Sequence, residues 1–61
     1  MDQMQSVIVA LTGMESVDAI TRSIRRLTKD DRAELKHRYT YGPCVGWSDN
    51  LLIACGNVFG D

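Results

Sequence analysis

Val17, Ile20, Ile24 and Leu27 recur at intervals of three, four and three residues. That spacing places four aliphatic side chains on one face of a helix and on no single face of a strand. It commits the middle of the chain to a helix with one buried stripe. Ser16 stands before the first of these residues as an N-cap, and Arg25 and Arg26 lie near the end, where the helix dipole favours cations. An earlier start, with Thr12 as cap and Glu15 reaching back, is the alternative. Asp18 precedes Arg22 by four residues, the orientation in which an ion pair supports a helix.

The flanking segments fit around this stripe. Asp2 to Thr12 has Asp2 as a cap with Gln5 three residues on, and Met1, Met4, Val7, Ile8 and Leu11 share one helical face. Val7-Ile8-Val9 is β-branched, so a buried strand competes there. After Leu27, Thr28 with Asp31 forms a variant of the capping box, Asp30 and Asp31 put negative charge in a first turn, and Glu34 precedes Arg38 by four. Leu35 and Tyr39 form an apolar i, i+4 pair, and Gly42-Pro43 ends the element. The second and third helices are therefore expected to form a central αα-hairpin, helix-turn-helix-like in connectivity. In the last segment Ser48 caps a helix whose face holds Leu51, Leu52, Cys55, Val58 and Phe59, with Gly56 costing it about 1 kcal/mol. Leu51 to Cys55 could also be a strand. The expected fold is one all-α domain over residues 1–61, with three to four short helices. The alternative is α+β in the order β-α-α-β.

A chain of 61 residues buries only about 60% of the surface its unfolded form exposes. Domains this small lean on a disulfide framework, a metal or another chain. The two cysteines, Cys44 and Cys55, are too few for a disulfide scaffold and are expected to be reduced thiols. Association with another chain is the expected staple: a homodimer joined through the apolar faces of the first and last segments. No positively charged region precedes the short apolar run Val7 to Leu11, so a signal peptide is not expected. No run approaches the roughly 20 apolar residues of a membrane span. The expected location is cytoplasmic, with no membrane partner.

The net charge of −1 conceals a segregation. All seven basic residues lie between 22 and 38, where three acids leave a local charge of +4, and the remaining five acids have no base among them. This makes a positive and a negative face.

Candidate chemistry centres on "YGPCVGW" (residues 41–47). Cys44 as a nucleophile needs a base, and His37, the only histidine, lies seven residues earlier across a Gly-Pro turn. A chain this short has little room for a substrate cleft beside a core, so an enzyme is not expected. His37, Cys44 and Cys55, with Asp49, lack the paired spacing of two to four residues typical of a structural zinc site. No metal or other cofactor is expected. The cationic segment also invites DNA binding as a helix-turn-helix regulator. Against it stand Asp30, Asp31 and Glu34, and an isoelectric point of about 5.6, where nucleic-acid domains tend above about 9. Tyr, Trp and Arg dominate protein hot spots. The expected function is therefore that of a small non-catalytic regulator that binds another protein and modulates or inhibits it. Chains of this kind are often accessory factors of phages or mobile elements. The expected contacts are Arg22, Arg25, Arg26 and Arg32 on the positive face, with Tyr39 and Trp47 as aromatic anchors. DNA binding is the alternative.

Overall fold

The computed structural model describes residues 2–60, so Met1, assigned above to the apolar face of the first segment, lies outside the described residues. Four helices follow one another: α1 Gln3–Thr12, α2 Val17–Arg26, α3 Lys29–Tyr41 and α4 Asp49–Phe59. There is no strand among the described residues. The fold is all-α, and both segments with strand character, Val7-Ile8-Val9 and Leu51 to Cys55, are helical.

Each helix begins with the same local device. An oxygen of the capping side chain accepts from the backbone amide three residues on: Asp2 from Gln5 at 2.8 Å, Ser16 from Ala19 at 3.0 Å, Thr28 from Asp31 at 3.1 Å, and Ser48 from Leu51 at 3.1 Å. Each satisfies one of the amides that a first turn leaves open, a contribution of about 1 kcal/mol. Thr12 ends α1 rather than starting α2. For β-branched residues such as Val7 and Val9, a good cap and a face that can be buried outweigh a modest strand preference.

The core gathers one stripe from each helix. Met4, Ile8 and Leu11 come from α1, Ile20 and Ile24 from α2, Leu35 from α3, and Leu51, Ala54 and Cys55 from α4. Val17 and Leu27, the ends of the 3-4-3 stripe, are half-buried against this cluster. Full burial of an aliphatic side chain contributes about 1.5–3 kcal/mol. Ile20, Ile24, Leu35 and Leu51, all completely buried, thus supply a large share of what stabilises so short a chain.

The pairing of helices differs from the expected central hairpin. α2 and α3 are joined through Leu27 and Thr28, yet α2 packs chiefly against α4, and α4 also touches α1 and α3. The reason is residue size and burial: α4 offers Leu51, Ala54 and Cys55 with no exposure, whereas Leu35 is the one fully buried residue of α3. Ala54 and Cys55 are small, so a neighbouring helix can approach closely. The Asn50 side chain adds a tie, donating to the Glu15 carbonyl at 3.1 Å and fixing the α1–α2 turn to the start of α4.

The inward faces of α1 and α4 are the ones assigned above to a homodimer. What they leave to solvent is Val9 and Ile53, 55% and 53% exposed. The exposed area is 4139 Å², and a lone folded chain of this mass exposes about 4,000 Å². The total exposed area is thus about that of a lone folded chain of this mass.

Two glycines give opposite expectations. At Gly42, which caps α3, a Cβ would lie 2.5 Å from the Arg38 carbonyl oxygen. At Gly56, inside α4, a Cβ would meet only the Tyr39 hydroxyl, at 3.5 Å. Gly42→Ala should therefore lower stability by about 1–3 kcal/mol. Gly56→Ala should raise it by about 0.5–1 kcal/mol, the helix-interior preference for alanine. Urea unfolding followed by circular dichroism checks both signs.

Candidate functional site

The feature that sets this surface apart is a set of cations without counterions among the described residues. Among the described residues Arg38 is the one basic side chain in an ion pair, to Glu34 at 2.7 Å and to Asp2 at 3.4 Å. Arg22, Arg25, Arg26, Lys29, Arg32 and Lys36 have none there. Asp18 and Arg22, spaced for a pair, do not form one; both are exposed, and such a pair gains little in water.

Geometry follows from the helix. Ile20 and Ile24 point into the core, which turns Arg22, Arg25 and Arg26 outward at i, i+3 and i+4. Asp18 lies on the same exposed side one turn earlier. On α3, Lys29 and Lys36 are exposed and Arg32 is half-buried. The structure thus brings Arg22, Arg25 and Arg26 together on one face, and places Arg32 on the next helix.

Tyr39 and Trp47 have a different setting. Both are half-buried and lie against the core. Their rings pair with each other, with centroids 6.4 Å apart and planes 22° apart. Tyr39 also meets Phe59 of α4, at 6.3 Å. This aromatic cluster joins α3, the α3–α4 loop and α4, so the surface these two side chains can offer a partner is partial.

The loop 42–48 is built from backbone constraints. Cys44 has φ +53°, a left-handed conformation that a residue with a Cβ adopts at a cost. The amide of Trp47 donates to the Cys44 carbonyl at 3.2 Å and closes a tight turn. Gly46, at φ +84°, has nothing within 4 Å of where a Cβ would stand, so the dihedral rather than space calls for glycine. The Cys44 thiol faces the carbonyls of Arg38 and Tyr39 at 3.7 Å and of Gly42 at 3.8 Å. Its neighbours are hydrogen-bond acceptors at the end of α3 rather than a base. The His37 ring instead lies 4.9 Å from that of Tyr41. No group of three His, Cys, Asp or Glu side chains among the described residues is placed to hold a metal. No helix there is long and apolar enough to cross a membrane.

Both cysteines are free thiols. Burial, reinforced by the nearby Cys44, pushes the Cys55 thiol up to about 11. Asp2 moves the other way. The hydrogen bond from the Gln5 amide, and then the Arg38 guanidinium, outweigh desolvation and hold its carboxyl below the ordinary 3.8. The Arg38–Asp2 contact spans 36 positions and has no signature in the sequence, unlike Glu34–Arg38, which the i, i+4 spacing announces.

No family model matches this chain, and no curated protein or solved structure matches it either.

Two outcomes test this description. A thiol reagent at mildly alkaline pH should label one cysteine of the native chain, Cys44, and reach Cys55 only after denaturation; equal labelling of both would contradict its burial. For Asp2, the folded carboxyl titrates below the unfolded one. Its stabilisation is therefore present above about pH 3.8 and fades as pH falls through the lower folded value. Asp2→Asn keeps a capping oxygen and removes the charge, so its melting temperature should lie below that of the wild type near neutrality. The two should converge in strong acid.

Proposed function

We propose that this protein is a small non-catalytic regulator that binds another protein, at an acidic surface, through the outward face of α2 and the start of α3. The observation that carries this reading is the absence of counterions for Arg22, Arg25, Arg26 and Arg32 among the described residues. Like charges at i, i+3 and i+4 on one helix disfavour it by a few tenths of a kcal/mol each. A partner carboxylate relieves that repulsion and gains charge-assisted, often bidentate, hydrogen bonds from arginine. The helix dipole accounts for Arg25 and Arg26 in the last turn of α2. It does not account for Arg22, in the middle of the helix.

Rigid support favours binding by this face. α2 is anchored by Ile20 and Ile24, so its arginines stand on a backbone that does not have to be ordered by the partner. Tyr39 and Trp47 contribute through whatever of their rings the core leaves open. The regulatory effect would be steric, or a bias toward the target state that presents the acidic surface. A homodimer belongs to this proposal only through side chains still open to solvent, of which Val9 and Ile53 are the exposed ones on α1 and α4.

The test compares wild type with Arg25→Glu as immobilised baits in nuclease-treated lysate, the retained proteins being identified by mass spectrometry. The variant should keep its helical spectrum and melting temperature, and should lose about tenfold or more in affinity for a partner the wild type retains, the scale of a hot-spot arginine. Equal retention would make the face merely solvated. Material retained from untreated lysate but not from the nuclease-treated one, with binding that falls steeply with salt in a mobility-shift titration, would transfer the face to nucleic acid.

A further inference from the structure

A cleft of about 670 Å³ runs between the C-terminal half of α3 and α4, with Tyr39, Thr40, Leu52, Gly56 and Phe59 along it and Lys36 among its lining. Its volume falls in the range of pockets that hold a ligand or an inserted side chain, about 300–1,000 Å³. Two observations indicate what it receives. The first is charge. Lys36 is exposed and has no ion-pair partner among the described residues, and none of the described residues lining the cleft is acidic.

The second is Gly56. A glycine inside a helix disfavours that helix by about 1 kcal/mol. The fold does not demand it, since a Cβ there would make only an ordinary contact with the Tyr39 hydroxyl at 3.5 Å. Local rules broken without structural need are expected at functional or strained positions, and Gly56 is not strained by its surroundings. What the missing side chain leaves is room in the cleft.

We infer that the α3–α4 cleft receives an acidic amphipathic helix of the partner protein, with an apolar side chain lodged over Gly56 and a carboxylate on Lys36. The inference rests on the proposed protein-binding function and names the partner's chemistry. Helices dock into apolar grooves through residues at i, i+3, i+4 and i+7. Lys36 is the one cation among the described residues lining the cleft, and Arg32 lies one helical turn before it on α3, outside that lining.

The test uses two synthetic peptides, each with leucines at i, i+3, i+4 and i+7, one with glutamates between them and one with lysines. Amide chemical shifts of the isotopically labelled protein report where each binds. The glutamate peptide should move Lys36, Thr40, Leu52 and Gly56, and should bind at least tenfold more tightly than the lysine peptide. Gly56→Leu, which fills the cleft, and Lys36→Glu should each weaken it about tenfold while the melting temperature is kept. Lys36 is exposed, so its variant carries the test even where Gly56→Leu unfolds. Three results overturn the inference: shifts confined to Arg22–Arg26, equal binding of the two peptides, or the same cleft shifts appearing with protein concentration alone, which would give the cleft to a second copy. Failure here leaves the lysate comparison with Arg25→Glu intact, and failure there leaves this peptide result standing.

Discussion

The rest of the structure depends on the packing of α2 against α4. Ile20 and Ile24 from one helix and Leu51, Ala54 and Cys55 from the other are fully buried, and they account for most of the side chains with no exposure at all. A chain this short has no second core to fall back on. α4 also contacts α1 and α3. The remaining elements are held to this pair by smaller devices: the Asn50 tie to the α1–α2 turn, the Tyr39–Trp47–Phe59 cluster, and the Arg38 bridge to Asp2.

That packing also shapes the surface. Once Ile20 and Ile24 are inside, helical geometry leaves Arg22, Arg25 and Arg26 no choice but to face water. Arg38, by contrast, is drawn between Glu34 and Asp2 and becomes part of the scaffold. The seven cations that look alike in the sequence thus divide into one with a structural role and six without partners among the described residues. The Cys44 thiol, just past the end of α3, faces main-chain carbonyls of Arg38, Tyr39 and Gly42.

The loop from Gly42 to Ser48 shows how an eye-catching motif can have a mechanical explanation. Gly42 permits the close approach to the Arg38 carbonyl at the end of α3. Cys44 and Gly46 take positive φ to reverse the chain. Trp47 then comes back onto Tyr39. The cleft beside this loop is lined by Cys44 of the loop and by Gly56 of α4.

Helix starts, and most of the residues that turn inward, were legible in the sequence; Ala54, fully buried yet outside the apolar face expected of the last segment, was not. They rest on interactions within three or four positions: a cap oxygen with the amide three residues on, and apolar residues at helical spacing. Glu34–Arg38 belongs to the same class. The choice of α4 over α3 as the partner of α2 was not legible, nor were the ties of Arg38 to Asp2 and of Asn50 to Glu15, nor the half-burial of Tyr39 and Trp47. Apolar stripes are interchangeable as sequence patterns, and only their fit in three dimensions decides which of them meet. Of the candidate site, the chain's pattern determined that the cations cluster between residues 22 and 38. Tertiary structure decided which of them are left without a counterion among the described residues, because that depends on whether an acid distant in sequence comes within reach.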